Sequence, residues 1–148
     1  FMHSDDIRIA NYRHQGNYAF QYGRNITITD AKLDAKDAFW NSENVTVIDS
    51  EINGEFMAWH SKNLTLINCK ISGTQPFCYC EDLVLENCTM AKDCDLAFEY
   101  STVTADVKGS VTSIKNPSSG VIRCDAVDAV IRDEHIAPGA DCSIEPRA

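Results

Sequence analysis

Carboxylate side chains close together along the chain are the groups in this sequence that could carry out acid–base chemistry. Glu99 follows Asp93 and Asp95, which lie in the preceding turn, and Glu81 lies about one repeat earlier. Two carboxylates at a fixed separation can cleave a glycosidic bond, one acting as acid and the other as base or nucleophile. Glu99, Asp95 and Glu81 are therefore the catalytic candidates. Ordinary solvated surface charge is the alternative interpretation of these residues.

A column of polar and aromatic residues is the candidate ligand-binding surface. The sequence predicts that Trp40 and Trp59 face the core, so the residue after each faces solvent. Aromatic rings pack on sugar rings while polar side chains supply hydrogen bonds, which predicts a glycan or another extended ligand along this column. His60 beside Tyr79 could also transfer a proton, and a plain solvated face is the alternative. The column comprises His3, Tyr22, Asn41, His60, Tyr79 and Glu99.

The cysteines indicate buried, reduced thiols rather than a metal site. They are seven in number and mostly occupy repeat positions where other coils have small or aromatic residues. Zinc and iron–sulfur sites need paired Cys-x-x-Cys motifs, and the nearest approach is Cys78-x-Cys80, so we predict neither a metal nor a cofactor. Unpaired cysteines favour a reducing compartment, the cytoplasm.

A regular repeat positions these side chains. It is visible in the segments Asn25-Ile-Thr-Ile, Asn44-Val-Thr-Val, Asn63-Leu-Thr-Leu and Asp82-Leu-Val-Leu, and Asp6-Ile-Arg-Ile fits one step earlier. The period is about 19 residues, and a fixed period of this length is typical of stacked units that bury a core only against their neighbours. The sequence therefore predicts a solenoid.

The composition of the repeat indicates strands. Apolar residues alternate over two-residue steps, β-branched and aromatic residues dominate, and no segment has a sustained helical period. A leucine-rich repeat would need a Leu-rich frame. We therefore predict an all-β fold, a single-stranded right-handed parallel β-helix with about 19 residues and three short strands per coil. In the predicted register, Phe98 follows Trp40, Trp59 and Cys78 in one bulky column, after a single extra residue inserted behind Met90.

The predicted organisation is one solenoid with an irregular end. Residues 1–134 are assigned to the coils, and residues 135–148, which contain two prolines, to a cap or tail. The chain starts in the middle of a coil, because Phe1-Met-His-Ser-Asp aligns with Phe39-Trp-Asn-Ser-Glu. Since a solenoid end normally carries a cap, we expect this chain to be the C-terminal part of a longer solenoid, or its end to be covered by another chain.

Charge limits the expected partners. The net charge is −9, whereas binding to phosphates requires a basic surface. The sequence therefore predicts no nucleic-acid partner and no membrane partner. Oligomerisation through the solenoid ends is a further expectation, because stacked strands leave unpaired backbone groups there.

Several motifs resemble an uncharacterised family of bacterial right-handed β-helix proteins. The segments are Asp37-Ala-Phe-Trp-Asn-Ser-Glu-Asn-Val-Thr-Val, Trp59-His-Ser-Lys-Asn-Leu-Thr-Leu-Ile-Asn-Cys, Leu96-Ala-Phe-Glu-Tyr-Ser-Thr-Val and Ser113-Ile-Lys-Asn-Pro-Ser-Ser-Gly. The resemblance implies a pectin lyase-like fold and longer members with further coils upstream. It implies no catalytic residues. Some members are labelled putative hydrogenases, but this chain lacks the paired cysteine motifs of such enzymes.

Two functional hypotheses remain open. The first is a non-catalytic binding or scaffold solenoid for a glycan or another extended ligand. The second is a polysaccharide lyase or glycoside hydrolase that acts through its surface carboxylates. An enzyme needs a cleft walled by long insertions, and these coils have almost none, so the sequence favours binding.

Overall fold

The computed structural model describes residues 1–147, and over these residues the chain forms a parallel β-solenoid. Neighbouring coils pair in parallel, at a constant interval of 19 residues over residues 5–67 and at intervals of 16 to 22 residues in the later coils. Residues 1–147 contain no helix. The predicted all-β solenoid with about 19 residues per coil is confirmed, since side chains bonded across one coil step lie 19 positions apart. No helix in this part of the chain is long and apolar enough to cross a membrane.

Two stacks of strands form two sides of the solenoid. The first stack contains β1 (Asp5–Ala10), β3 (Arg24–Thr29), β5 (Glu43–Ile48), β7 (Lys62–Ile67), β9 (Leu83–Met90), β10 (Thr102–Lys115), β11 (Ser119–Ile131) and β12 (Ser143–Pro146). The second contains β2 (Arg13–Gln15), β4 (Lys32–Asp34), β6 (Glu51–Asn53) and β8 (Lys70–Ser72), and it continues onto the end of β9. All of these pairings are parallel, so each repeat position becomes a row of side chains along the axis.

Alternation of buried and exposed side chains along each strand explains why the first stack forms. In β3, Ile26 and Ile28 are buried and Thr27 between them is exposed, which is the two-residue period of a half-buried strand. Ile26 pairs with Val45, which in turn pairs with Leu64. Apolar residues that recur at the same position of successive coils therefore lie directly above one another in the core.

The third side of the solenoid consists of turns rather than strands, so the prediction of three strands per coil is wrong. In one such turn segment, Phe56, Ala58 and His60 have positive φ angles of 56°, 64° and 60°. The backbone amides of Phe56 and His60 donate to the carbonyls of Thr74 and Cys78 in the next coil. Alternating left-handed residues thus let this side hydrogen-bond between coils without β geometry.

Phenylalanines, not tryptophans, fill the core beside the third side. Phe20 and Phe39 are fully buried and their rings stack with centroids 5.6 Å apart. Trp40 and Trp59 are only half-buried. The prediction that the tryptophans face the core is therefore wrong, because the left-handed turn residues rotate the side chains relative to an extended strand.

The irregular coil differs from the predicted register. Phe98 stacks on Phe77, which is 21 positions earlier, whereas Val103 pairs with Leu83, which is 20 positions earlier. The turn after β9 therefore contains two extra residues, and the next corner has one residue fewer. The prediction of a single inserted residue is corrected accordingly, and Phe98 belongs to the phenylalanine row rather than to the tryptophan row.

The C-terminal segment packs onto the coils. Strand β12 pairs in parallel with β11, and Arg147 forms an ion pair with Asp106, with Nε 2.7 Å from Oδ1. The hydroxyl of Tyr100 donates to the carbonyl of His135 at 2.5 Å. The segment predicted as an irregular cap or tail therefore contains a strand, and its last residue, Ala148, lies outside the described residues.

Candidate functional site

The predicted ligand column lies at the corner where the third side meets the first stack. Its members share a left-handed backbone, with φ of 57° at His3, 58° at Tyr22 and 60° at His60. The residue in this position after Tyr79 is Tyr100, whose φ is 55° and whose ring lies 5.5 Å from that of Tyr79. The predicted placement of Glu99 in this column is therefore wrong, because two residues rather than one are inserted before it.

Ring stacking determines which parts of the column solvent can reach. His3 and Tyr22 stack with centroids 4.7 Å apart and planes 2° apart, and His60 and Tyr79 stack at 4.7 Å and 11°. Each ring in these pairs thus places a face against its neighbour. Asn41 interrupts the stack between Tyr22 and His60. A ligand alongside the column would meet ring edges, hydroxyls and imidazole nitrogens rather than broad ring faces.

The two tryptophans extend the column sideways. Trp40 lies 5.6 Å from Tyr22 with planes 51° apart, and Trp59 lies 5.6 Å from Tyr79 with planes 65° apart. The indole Nε1 of Trp59 donates to the carbonyl of Gln75 at 2.8 Å, which holds the ring in place. We call the combined surface the aromatic edge. It comprises His3, Tyr22, Trp40, Asn41, Trp59, His60, Tyr79 and Tyr100.

Glu99 is engaged in an ion pair beside the aromatic edge. Its Oε2 lies 3.0 Å from Nζ of Lys115, and 18% of its side chain is exposed. The hydrogen bond to Glu99 raises the pKa of Lys115. Partial burial, followed by the negative charge of Glu99, raises the pKa of Tyr79. The charge of Glu99 is therefore compensated by Lys115 beside the aromatic edge.

The other carboxylate candidates lie elsewhere on the coil. Asp95 accepts a hydrogen bond from the hydroxyl of Thr74 at the start of the third side, and Asp93 accepts from the amide of Gly73 at 3.1 Å. Glu81 lies past the corner, where it pairs in register with Lys62. Among residues 1–147, Asp93 and Asp95 thus have structural partners in the neighbouring coil, as Glu99 does.

A concave surface lies away from the aromatic edge, at the corner between the two strand stacks. Its volume is about 490 Å³. We call it the polar groove, and its lining consists of Asn11, Arg13, Asp30, Ala31, Lys32, Asp49 and Glu51. Reasoning from the sequence missed this groove. The available signal was the coincidence of an Asn/Asp column with a charged row two positions later, Arg13, Lys32 and Glu51.

All seven cysteines are free and buried. Burial raises the pKa of Cys80 to about 11 and that of Cys78 to about 12, so both are thiols at neutral pH. Within residues 1–147, no group of three or more His, Cys, Asp or Glu side chains is arranged to hold a metal ion.

These features define a parallel β-solenoid with an aromatic edge, interrupted at Asn41, and a separate polar groove. The chain belongs to the family described as "Protein of unknown function (DUF3737)", whose model matches residues 1–145. No curated protein and no solved structure matches the sequence significantly.

Proposed function

We propose that this protein is a non-catalytic binding or scaffold solenoid that holds a glycan or another extended ligand along the aromatic edge. The observation that carries the proposal is the pair of ring clusters along that edge, His3, Tyr22 and Trp40 on one side of Asn41 and Trp59, His60, Tyr79 and Tyr100 on the other. Both clusters present exposed or half-exposed rings to solvent, with 38% of Tyr22 and 36% of Tyr79 accessible. Aromatic side chains with one polar end are well suited to a ligand that is partly apolar and partly hydroxylated.

The repeat supplies the spacing for an extended ligand. Coils stack about 4.8 Å apart, so a ligand that lies along the axis meets a tyrosine hydroxyl, an imidazole or the Asn41 amide at each step. Hydroxyls and imidazoles both donate and accept hydrogen bonds. The half-exposed indoles of Trp40 and Trp59 contribute the broader apolar contacts.

Binding fits the coils better than catalysis does. A cleaving enzyme encloses its substrate in a cleft, whereas the coils from β1 to β7 keep a 19-residue interval and the turn after β9 adds only two residues. Glu99, the central catalytic candidate, pairs with Lys115. The arrangement therefore supports holding a ligand on an open surface.

The proposal includes a setting and partners. Free, buried cysteines are consistent with a reducing compartment, which we propose to be the bacterial cytoplasm, and the pectin lyase-like relationship is part of the same proposal. The net charge of −9 disfavours nucleic acids and anionic membranes. Assembly through the solenoid ends is a compatible role for a scaffold.

A binding assay with matched tyrosine variants tests the proposal. Neutral oligosaccharides are titrated into the wild type and into Tyr22→Ala and Tyr79→Ala. The control is Tyr18→Ala, since Tyr18 is another exposed tyrosine with a positive φ, of 62°, but lies outside the aromatic edge. We expect binding to weaken in the two edge variants and to persist in the control. Equal affinity in all four proteins would remove the aromatic edge as the binding surface.

A further inference from the structure

Rows of amide side chains link the coils with a constant polarity. At one corner, Asn44 donates to Asn25 at 3.2 Å and Asn63 donates to Asn44 at 2.7 Å. In the second stack, Asn53 donates to Asp34 at 3.1 Å. Each amide nitrogen thus donates to the oxygen of the preceding coil. A row of this kind continues only where the residue at the same position of the next coil has a side-chain donor.

The row beside the polar groove lacks two links, the one from Asp49 to Asp30 and the one from Asp30 to Asn11. Asn87 donates to Asn68 at 2.9 Å, and Asn68 donates to Asp49 at 3.1 Å. The preceding member is Asp30, and two carboxylates have no hydrogen to share. Like charges on adjacent strands also repel. The repeat therefore places an unfavourable pair at the wall of the polar groove.

Backbone conformation does not explain why both residues are aspartates. Asp30 and Asp49 have φ of 53° and 52°, and Asn68 in the same row also has 53°. Asparagine and aspartate both tolerate this left-handed region. Asparagine in place of Asp49 would extend the row by one link, to Asp30, at no conformational cost. Asp82 also ends a row, but only Asp30 and Asp49 place two carboxylates in adjacent positions, and such a pair without a local reason points to a function.

The charges that line the groove define the ligand. Asp30, Asp49 and Glu51 would repel an anion, while Arg13 and Lys32 would repel a cation. Hydroxyl groups both donate and accept hydrogen bonds, so a neutral polyol can satisfy both sets of side chains.

We propose that the polar groove binds a neutral, hydroxyl-rich ligand, with Asp30 and Asp49 accepting hydrogen bonds from adjacent hydroxyls. Arg13 and Lys32 donate to the hydroxyl oxygens from the opposite wall. This site goes beyond the aromatic edge, because it lies at a different corner and shares no residue with it. A neutral glycan is the ligand class, and about 490 Å³ accommodates a few sugar units.

Nuclear magnetic resonance titration of the ¹⁵N-labelled chain tests this site. The probes are two neutral tetrasaccharides, cellotetraose and maltotetraose, with tetragalacturonate as the anionic comparison. We expect a neutral probe at about 10 mM to shift the backbone amides of Arg13, Lys32 and Glu51. In Asp49→Asn its affinity falls about ten-fold, because a charged acceptor is lost.

Asp82→Asn is the matched control. Asp82 lies one coil after Asn63, in the row formed by Asn25, Asn44 and Asn63. Because the Asn63 amide nitrogen donates to Asn44, its oxygen can accept from an asparagine at position 82, which would extend this row. Both substitutions are expected to raise the melting temperature, and only Asp49→Asn weakens binding. A loss of affinity in a more stable protein excludes misfolding as its cause.

The outcomes separate this site from the aromatic edge. Shifts confined to the groove support it and count against the edge, while shifts confined to Tyr22, Trp40 and Tyr79 do the reverse. No shift at either surface overturns both proposals. The groove proposal is also overturned if tetragalacturonate binds as tightly as the neutral probes, or if Asp49→Asn binds like the wild type.

Discussion

The ring of Phe98 stacks on the ring of Phe77, with centroids 5.7 Å apart and planes 17° apart. Phe98 lies 21 positions after Phe77 rather than 19, and yet Ala97 and Phe98 are both fully buried. The solenoid therefore keeps its core row continuous and accommodates the extra residues in the solvent-exposed turn after β9. As a consequence, Tyr100 rather than Glu99 occupies the next position of the aromatic edge.

Truncation of a core phenylalanine is expected to cost far more stability than truncation of a tryptophan. Phe39 is fully buried, so Phe39→Ala should lower the free energy of unfolding by about 3–5 kcal/mol. Trp59 is half-buried, and Trp59→Ala should cost about 1–3 kcal/mol, mainly through lost packing and the hydrogen bond to Gln75. Urea denaturation measures both values.

Trp59→Phe is the control for that comparison, since it keeps an aromatic ring and removes only the indole donor. It should lie between the wild type and Trp59→Ala. A loss at Trp59→Ala as large as that at Phe39→Ala would show that the tryptophan row belongs to the core.

The Asn44 side chain contributes both hydrogen bonds and backbone preference. It donates to Asn25 and accepts from Asn63, and its φ is 54°. Asn44→Ala should cost about 2 kcal/mol, because it loses the amide bonds and places alanine in the left-handed region. Asn44→Gly should cost about 1 kcal/mol, since glycine adopts this conformation freely. Both free energies of unfolding are measured by chemical denaturation. Equal losses in the two variants would mean that the left-handed backbone conformation of residue 44 contributes nothing measurable.

Arg147 is expected to make stability depend on pH through Asp106. The hydrogen bond from Arg147 holds the pKa of Asp106 below its ordinary value. A carboxylate with a lowered pKa stabilises the fold above its unfolded pKa of about 3.9, and this contribution is lost as pH falls through the folded pKa. Arg147→Ala should therefore lower the urea midpoint slightly at pH 7, with the difference shrinking in acid.

Arg147→Lys controls for charge, since lysine keeps the positive charge without the fork that also reaches Asn87 at 3.1 Å. A difference between wild type and Arg147→Ala that stays constant from pH 7 to below the folded pKa of Asp106 would argue against the ion pair.

The thiols are expected to be inert in the folded protein. Burial raises the pKa of Cys80 to about 11 and that of Cys94 to about 12, and the thiolate is the reactive form. A thiol-specific reagent at pH 8 should therefore label few cysteines in native protein and all seven after denaturation. Rapid labelling of Cys88, whose pKa is lowered by the Cys69 thiol, would show that the corner it occupies opens readily.

Much of the fold follows from the residues themselves. The position that holds Ile26, Val45 and Leu64 is apolar in successive coils, and a parallel stack is the arrangement that buries it each time. The Asn and Asp corners follow for the same reason, because these residues tolerate the left-handed region. The column from His3 to Tyr79 was likewise visible in the sequence.

The sequence by itself determined the solenoid, its period and most of the members of each row, because these depend on local residue type repeated at a constant interval. Only the tertiary structure decided the left-handed third side, the half-exposed position of Trp59, the place of Tyr100 and the polar groove. Those features depend on the rotation of each side chain at a turn and on the register across an irregular coil. Both are set by packing between coils, which no single repeat contains.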